Sequence, residues 1–173
     1  FKFKNKPAIY YVALDKKAYV YPDEATYFSW NHSFEKVKVY EQNQIANSIA
    51  KPVVTLKPGT RVVKFGTDPK LFAIDRGARL RWIKNEEILV GVFSSSWKNY
   101  FVELPVNRKI DYIVGTDVTS TEAFNLNAVR ANFTVSDDLY VRKVLTVKID
   151  KNKLPTTSVV ALKTLKENLK GSL

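Results

Sequence analysis

One pattern of strand, turn and helix signals occurs twice along the chain, and it sets what the chain can fold into. In the first occurrence, Pro7-Ala-Ile-Tyr-Tyr-Val-Ala-Leu-Asp15 and Ala18-Tyr-Val-Tyr-Pro22 are β-rich runs on either side of the polar turn Lys16-Lys17. Such runs around a short polar turn predict a hairpin, and Pro22 closes the second strand because it has no N–H to donate. Asp23-Glu24 then opens the short aromatic stretch Ala-Thr-Tyr-Phe-Ser-Trp30. Acids suit a helix N-terminus, where free amides favour negative charge. In the second occurrence, Pro69-Lys-Leu-Phe-Ala-Ile-Asp75 and Ala78-Arg-Leu-Arg-Trp-Ile83 flank Arg76-Gly77. Gly77 supplies the positive φ of a hairpin turn, and Asn85 followed by Glu86-Glu87 caps Ile88-Leu-Val-Gly-Val-Phe93.

The two occurrences align residue by residue. Pro7 matches Pro69, Ile9-Tyr10 matches Leu71-Phe72, and Tyr19-Val20-Tyr21 matches Leu80-Arg81-Trp82. Phe34, Val37 and Val39 match Trp97, Tyr100 and Val102 at equal spacing and are expected to re-enter the core. This predicts an internal duplication, with copies at residues 7–40 and 69–103 inside a module spanning 1–114. Units that cannot bury an apolar face alone stack on each other, so the copies are expected to pack together. Arg61-Val-Val-Lys-Phe65 and Lys109-Ile-Asp-Tyr-Ile-Val114 read as further strands.

Residues 115–173 differ. Val129, Ala131, Phe133 and Val135 alternate with polar neighbours, as do Leu145, Val147 and Ile149, which predicts a β-hairpin around Ser136-Asp-Asp138. From Ser158 the spacing becomes helical: Val159, Leu162, Leu165 and Leu169 share one face, with Lys163, Lys166 and Lys170 opposite. The fold class expected is therefore α+β and β-rich: two packed hairpin-plus-short-helix repeats, then a hairpin and a C-terminal amphipathic helix. Hydrophobic residues are 45% of the chain and aromatics 13%, too many for a disordered polymer.

Composition excludes much chemistry. There is no cysteine and a single histidine, His32, so thiolate nucleophiles, Cys-ligated zinc and any multi-His metal site in one chain are excluded. His32 has no serine signature near it, and Asp23-Glu24 and Glu86-Glu87 fall at equivalent helix starts, which explains them without a glycosidase acid pair. No calcium loop follows Asp137-Asp138 and no glycine loop for phosphate exists. The expectation is a chain without catalytic residues, cofactor or metal. The longest apolar run, Ile88–Phe93, is far below the ~20 residues a spanning helix needs. Methionine is absent and the chain begins at Phe1, which fits a mature chain whose leader was removed, or a fragment. Lacking both oxidisable sulfurs suits an oxidising, extracellular setting.

The formal net charge is +11, so acidic polymers are the expected ligands. The basic residues are spread along the length rather than concentrated on one element, which disfavours nucleic acid. Arg76, Arg79, Arg81 and Lys84 near Trp82 are the candidate polyanion- or glycan-contacting patch. All three tryptophans, Trp30, Trp82 and Trp97, fall at repeat or strand positions and are expected in the core. Asn31-His-Ser33 and Asn132-Phe-Thr134 fit the N-glycosylation sequon.

The runs Ile9-Tyr-Tyr-Val, Tyr19-Val-Tyr-Pro-Asp-Glu, Thr26-Tyr-Phe-Ser-Trp30, Lys57-Pro-Gly-Thr-Arg-Val-Val-Lys64, Asp68-Pro-Lys-Leu-Phe-Ala-Ile-Asp75 and Leu80-Arg-Trp-Ile83 resemble a poorly characterised repeat module. It occurs in secreted and surface-exposed bacterial proteins, particularly of small-genome candidate-phyla lineages, and the resemblance covers residues 7–114. It implies an extracellular, cell-surface location and carries no catalytic residues. The expected function is then a non-enzymatic structural subunit of a bacterial surface layer or filament, a homo-oligomer or polymer. In that reading Phe1, Lys2, Phe3 and Lys4 form an arm that adds a strand to a neighbouring subunit. The alternative is a monomeric module that binds acidic cell-wall polymer or glycan through a basic face.

Overall fold

Both hairpins form, the first in a four-stranded sheet and the second in a five-stranded one. In the computed structural model, which describes residues 1–42 and 48–146, the first unit is β1 (Lys2–Phe3), β2 (Ile9–Val12), β3 (Ala18–Tyr21), α1 (Glu24–Trp30) and β4 (Val39–Tyr40). The second is β5 (Val62–Phe65), β6 (Phe72–Asp75), β7 (Arg79–Trp82), α2 (Glu86–Phe93) and β8 (Phe101–Leu104). Strand order is β3-β2-β1-β4 in one sheet and β7-β6-β5-β8 in the other, with β9 (Ile113–Val114) outside β7. The fold is α+β. Each hairpin is antiparallel, and each last strand returns parallel to the first. A parallel return requires a crossover, which α1 and α2 provide. The sheets share a further detail. Ile49 bridges Ala18 in parallel beside β3, as β9 does beside β7.

Local chemistry explains these elements. Asp23 accepts the Thr26 N–H at 2.7 Å and Asn85 accepts the Ile88 N–H at 2.9 Å, so each helix begins on a side-chain cap. The β6–β7 turn places Gly77 and Ala78 at φ 76 and 56, and the β2–β3 turn places Lys16 at φ 63. The second sheet is buried on both sides. Val63, Phe65, Phe72, Ile74 and Leu80 pack with Leu56 and Tyr112, while Val62, Ala73 and Ile83 pack with Ile88, Leu89 and Phe93 of α2. Val62, Val63 and Phe65 are fully buried, each contributing roughly 1.5–3 kcal/mol of apolar burial. The first sheet is buried on one side, where Tyr19 and Tyr21 meet Tyr27, Val135, Leu139 and Leu145.

The ladders correct the residue alignment. The row of paired residues Tyr21, Ile9, Lys2, Val39 corresponds to Arg81, Ala73, Val62, Phe101. In each case this row is on the helix-covered side, since Tyr21 meets Tyr27 of α1 edge-to-face and Ala73 packs with α2. Tyr21 therefore stands where Arg81 stands, one residue away from the match with Trp82. A one-residue slip moves a side chain to the other face, which is why Leu80 points away from α2. Phe34 and Val39, expected in the core, are 47% and 57% exposed; Val37 does pack against it.

The hairpin expected at residues 128–149 is not formed. Asn125 caps α3 (Leu126–Arg130), and Thr134 caps α4 (Val135–Val141) in a reciprocal pair with Asp137. That capping box overrides the alternating pattern, because two helix-start amides gain partners at once. Ser136-Asp-Asp138 is the first turn of α4 rather than a loop. Residues 147–149 and the amphipathic stretch 158–170 lie outside the described residues. Residues 115–146 pack on both units. Phe124 is buried in the second unit's core, and Val135 and Leu139 in the first unit's.

Asp138 joins the parts. It is 2% exposed, and accepts the Gly77 N–H at 3.0 Å and the Thr55 hydroxyl at 3.1 Å, with Arg142 3.7 Å away. A second tie runs through Arg108, which bonds Asp111 and also Asp23, the cap of α1.

Candidate functional site: a tryptophan-lined cleft

The basic residues expected to form a patch are tied to different parts of the fold. Arg76 donates to the carbonyls of Ala128, Val129 and Ala131 at 2.7, 3.1 and 2.8 Å and lies 4.7 Å from the Phe133 ring centroid. It closes the C-terminal end of α3, where unpaired carbonyls favour a cation. Arg79 donates to the Arg76 carbonyl at 3.0 Å. Arg81 pairs with Asp75 at 3.2 Å and donates to the Thr116 carbonyl at 2.9 Å. Arg79 and Arg81 also lie on the opposite side of β7 from Trp82, because strand side chains alternate. The five candidates therefore do not form one surface. Only Trp82 and Lys84 stay together.

Those two residues wall an open cleft of about 440 Å³. It is built where β6 begins and β7 ends, against the start of α2. Residues 69–71 before β6, Trp82 to Asn85, Glu86 and Leu89 of α2, and Trp97 line it. Ammonium groups crowd Trp82: Lys84 Nζ is 3.7 Å and Lys70 Nζ 4.5 Å from its ring centroid. Each such contact is worth about 0.5–1 kcal/mol when exposed. The two lysines differ in pairing. Lys84 forms an ion pair with Asp117 at 2.5 Å, whereas Lys70 makes no salt bridge among the described residues and interacts with the Asp68 carboxylate only at longer range. Asp68 accepts the Lys70 N–H at 3.0 Å but directs its other oxygen to Lys109. These bonds hold its carboxyl below the usual carboxylate range, the Lys70 amide first and Lys109 second.

Trp97 is half-buried, and among the described residues no cation approaches its ring closer than Lys98 at 5.9 Å. The cleft thus offers one indole already covered by two ammoniums, one less covered, a carboxylate and an amide. That set can stack a flat apolar surface and hold one negative charge and several hydroxyls. Trp30 is not part of it; its indole N–H donates to the Thr55 carbonyl at 2.8 Å, which fits core packing. The expectation of core packing fails for Trp82 and Trp97 in one respect, since each packs on a core with one side and lines the cleft with the other.

The remaining candidates are structural. Phe1, Lys2, Phe3 and Lys4 are not a free arm. Lys2 and Phe3 form β1 between β2 and β4, and the backbones of Lys2 and Lys4 donate to Lys38 and Tyr40 of their own chain. His32 is exposed. Asn31, first in one sequon, donates its side-chain amide to the Tyr27 carbonyl at 3.0 Å. Lys70 and Trp97 escaped the sequence reading because neither adjoins a basic run; only the fold brings them to Trp82. Among the described residues, no helix is long and apolar enough to cross a membrane, and no three His, Cys, Asp or Glu side chains are placed to hold a metal. Comparison with known protein families, curated proteins and solved structures finds no match to this chain.

Proposed function

We propose that the chain is a non-catalytic binding module that holds an acidic glycan or cell-wall polymer in the Trp82–Trp97 cleft. One observation supports this reading: two indoles and two lysines line one open groove on a strongly basic protein. An indole face matches the apolar face of a sugar ring, and its polar edge tolerates water. The +11 charge draws an acidic chain toward the surface before contact is made. The test is a tryptophan-fluorescence titration with polygalacturonate, with neutral dextran as control. Polygalacturonate quenches and dextran does not; added salt weakens the binding, and Trp97→Ala weakens it about tenfold. Equal response to both polymers, or to Trp97→Ala and wild type, removes the proposal.

A second reading is the self-assembling subunit of an extracellular surface layer or filament. Exposed aliphatic side chains in and before β9 favour it: Val106, Ile110, Ile113 and Val114 are 61, 89, 53 and 78% exposed. Exposed apolar runs mark contact surfaces. Light scattering across a concentration series decides; growth that Ile110→Asp abolishes supports assembly, and a constant monomer mass ends it.

A further inference from the structure

We propose that copies of this chain join head to tail, the exposed side of α2 in one copy covering the aromatic face of the first sheet in the next. This rests on the assembly reading above and adds which two surfaces meet. Side chains alternate across a strand, so the face opposite α1 carries Phe1, Phe3, Tyr10, Val20 and Tyr40. Phe1 stacks on Tyr10 with ring centroids 5.2 Å apart, and meets Phe3 and Tyr40 edge-on at 5.3 and 6.0 Å. All five are partly exposed, and none belongs to a core cluster among the described residues.

The second unit shows what such a face packs against. By the ladder rows, Phe3, Tyr10 and Val20 stand where Val63, Ile74 and Leu80 stand, and those three are buried. Leu56 belongs to the same cluster and Ala25 of α1 packs against it, so the first unit covers the second unit's sheet. Repeating that contact places α2 of one molecule on the first sheet of another. Ala25 follows the Asp23 cap by two residues, as Glu87 follows the Asn85 cap. Glu86, Glu87 and Val90 of α2 are exposed, and so is Glu122, next to Thr121, which packs on Gly91 of that helix. Lysines edge the aromatic face: Lys38 lies in the row of Phe1 and Lys6 in the turn after Phe3, both exposed. An acidic helix and a lysine-edged sheet are complementary in charge, and the rings supply apolar area. The two surfaces differ, so the contact is heterologous and leaves an unfilled face at each end of a growing filament.

The test is light scattering over a concentration series on wild type, Tyr10→Lys and Glu87→Lys, with circular dichroism as the check of folding. If Tyr10→Lys unfolds, Tyr40→Lys takes its place. Wild-type mass rises with concentration, and added salt lowers it. Each variant alone stays a monomer. An equimolar mixture of Tyr10→Lys and Glu87→Lys doubles in mass and goes no further, because one intact face of each kind remains. A variant that grows like wild type, or a mixture that stays monomeric, overturns the proposal; if Ile110→Asp then abolishes growth, the assembly reading stands without it. A wild type of constant monomer mass overturns both, and shielding of Tyr40 from hydroxyl radicals in that monomer gives the face to another part of the same chain.

Discussion

Asp138 Oδ1 accepts the backbone N–H of Gly77 at 3.0 Å, tying α4 to the turn of the second hairpin. The same carboxylate takes the Thr55 hydroxyl, from the connection between the two units, so one buried group fastens three segments. Breaking a buried, paired charge leaves its partners stranded, at a cost of about 3–5 kcal/mol. Asp138→Ala is expected to lose about that much, read from the urea midpoint, with Arg142 left nearly buried and without its carboxylate.

The same residue gives stability a pH dependence of unusual sign. Burial raises the Asp138 carboxyl above its ordinary value, outweighing Arg142 and the bonds from Gly77 and Thr55. The folded state then holds this proton more tightly than the unfolded chain. Its contribution is full below the ordinary carboxylate value and is lost as pH rises through the raised folded value. The stability gap between wild type and Asp138→Asn narrows as pH climbs through that window. A gap that widens would mean the ion pair outweighs burial.

Gly77 is the other half of that tie. It sits at φ 76, and a Cβ there would meet the Arg79 guanidinium and a Val141 methyl, both at 2.8 Å. Gly77→Ala is expected to cost about 2 kcal/mol, from the left-handed backbone together with displacement of Val141. Gly115→Ala makes the control. It needs no positive φ and meets neighbours no closer than 3.3 Å, so its thermal midpoint falls by less than half as much.

Arg76 and Arg79 share a basic cluster in sequence and separate in role. Arg76 closes α3 with three hydrogen bonds, and Arg79 makes one, to a neighbouring carbonyl. Arg76→Ala is expected to cost about 2 kcal/mol of stability and leave polymer binding unchanged. Arg79→Ala changes stability by less than about 0.5 kcal/mol, as solvent-exposed substitutions do. A binding defect in either would return the site to the original basic patch.

Local signals were readable where the structure uses them locally. Pro22, Asp23, Gly77 and Asn85 each mark a turn or cap that their own neighbours complete. Pairing across distance was not. Phe1–Lys4 looks like a loose arm because its partner, Val39–Tyr40, lies far along the chain and runs parallel. The stretch from Ala128 to Val135 alternates as a strand does, but Thr134 and Asp137 form a capping box that dictates helices. Trp82 and Lys84 are neighbours in the sequence and in the cleft. Lys70 and Trp97 meet them only in the fold, since no spacing rule links a strand entrance to a turn beyond the next helix.

Indole N–H resonances report on the cleft most directly, because the protein has three tryptophans and only two line it. Polygalacturonate is added to ¹⁵N-labelled protein. The Trp82 and Trp97 signals shift in proportion to occupancy, while Trp30, whose N–H is bound to the Thr55 carbonyl, stays in place. Movement of Trp30 alone, or no movement of Trp97 at saturation, contradicts the account.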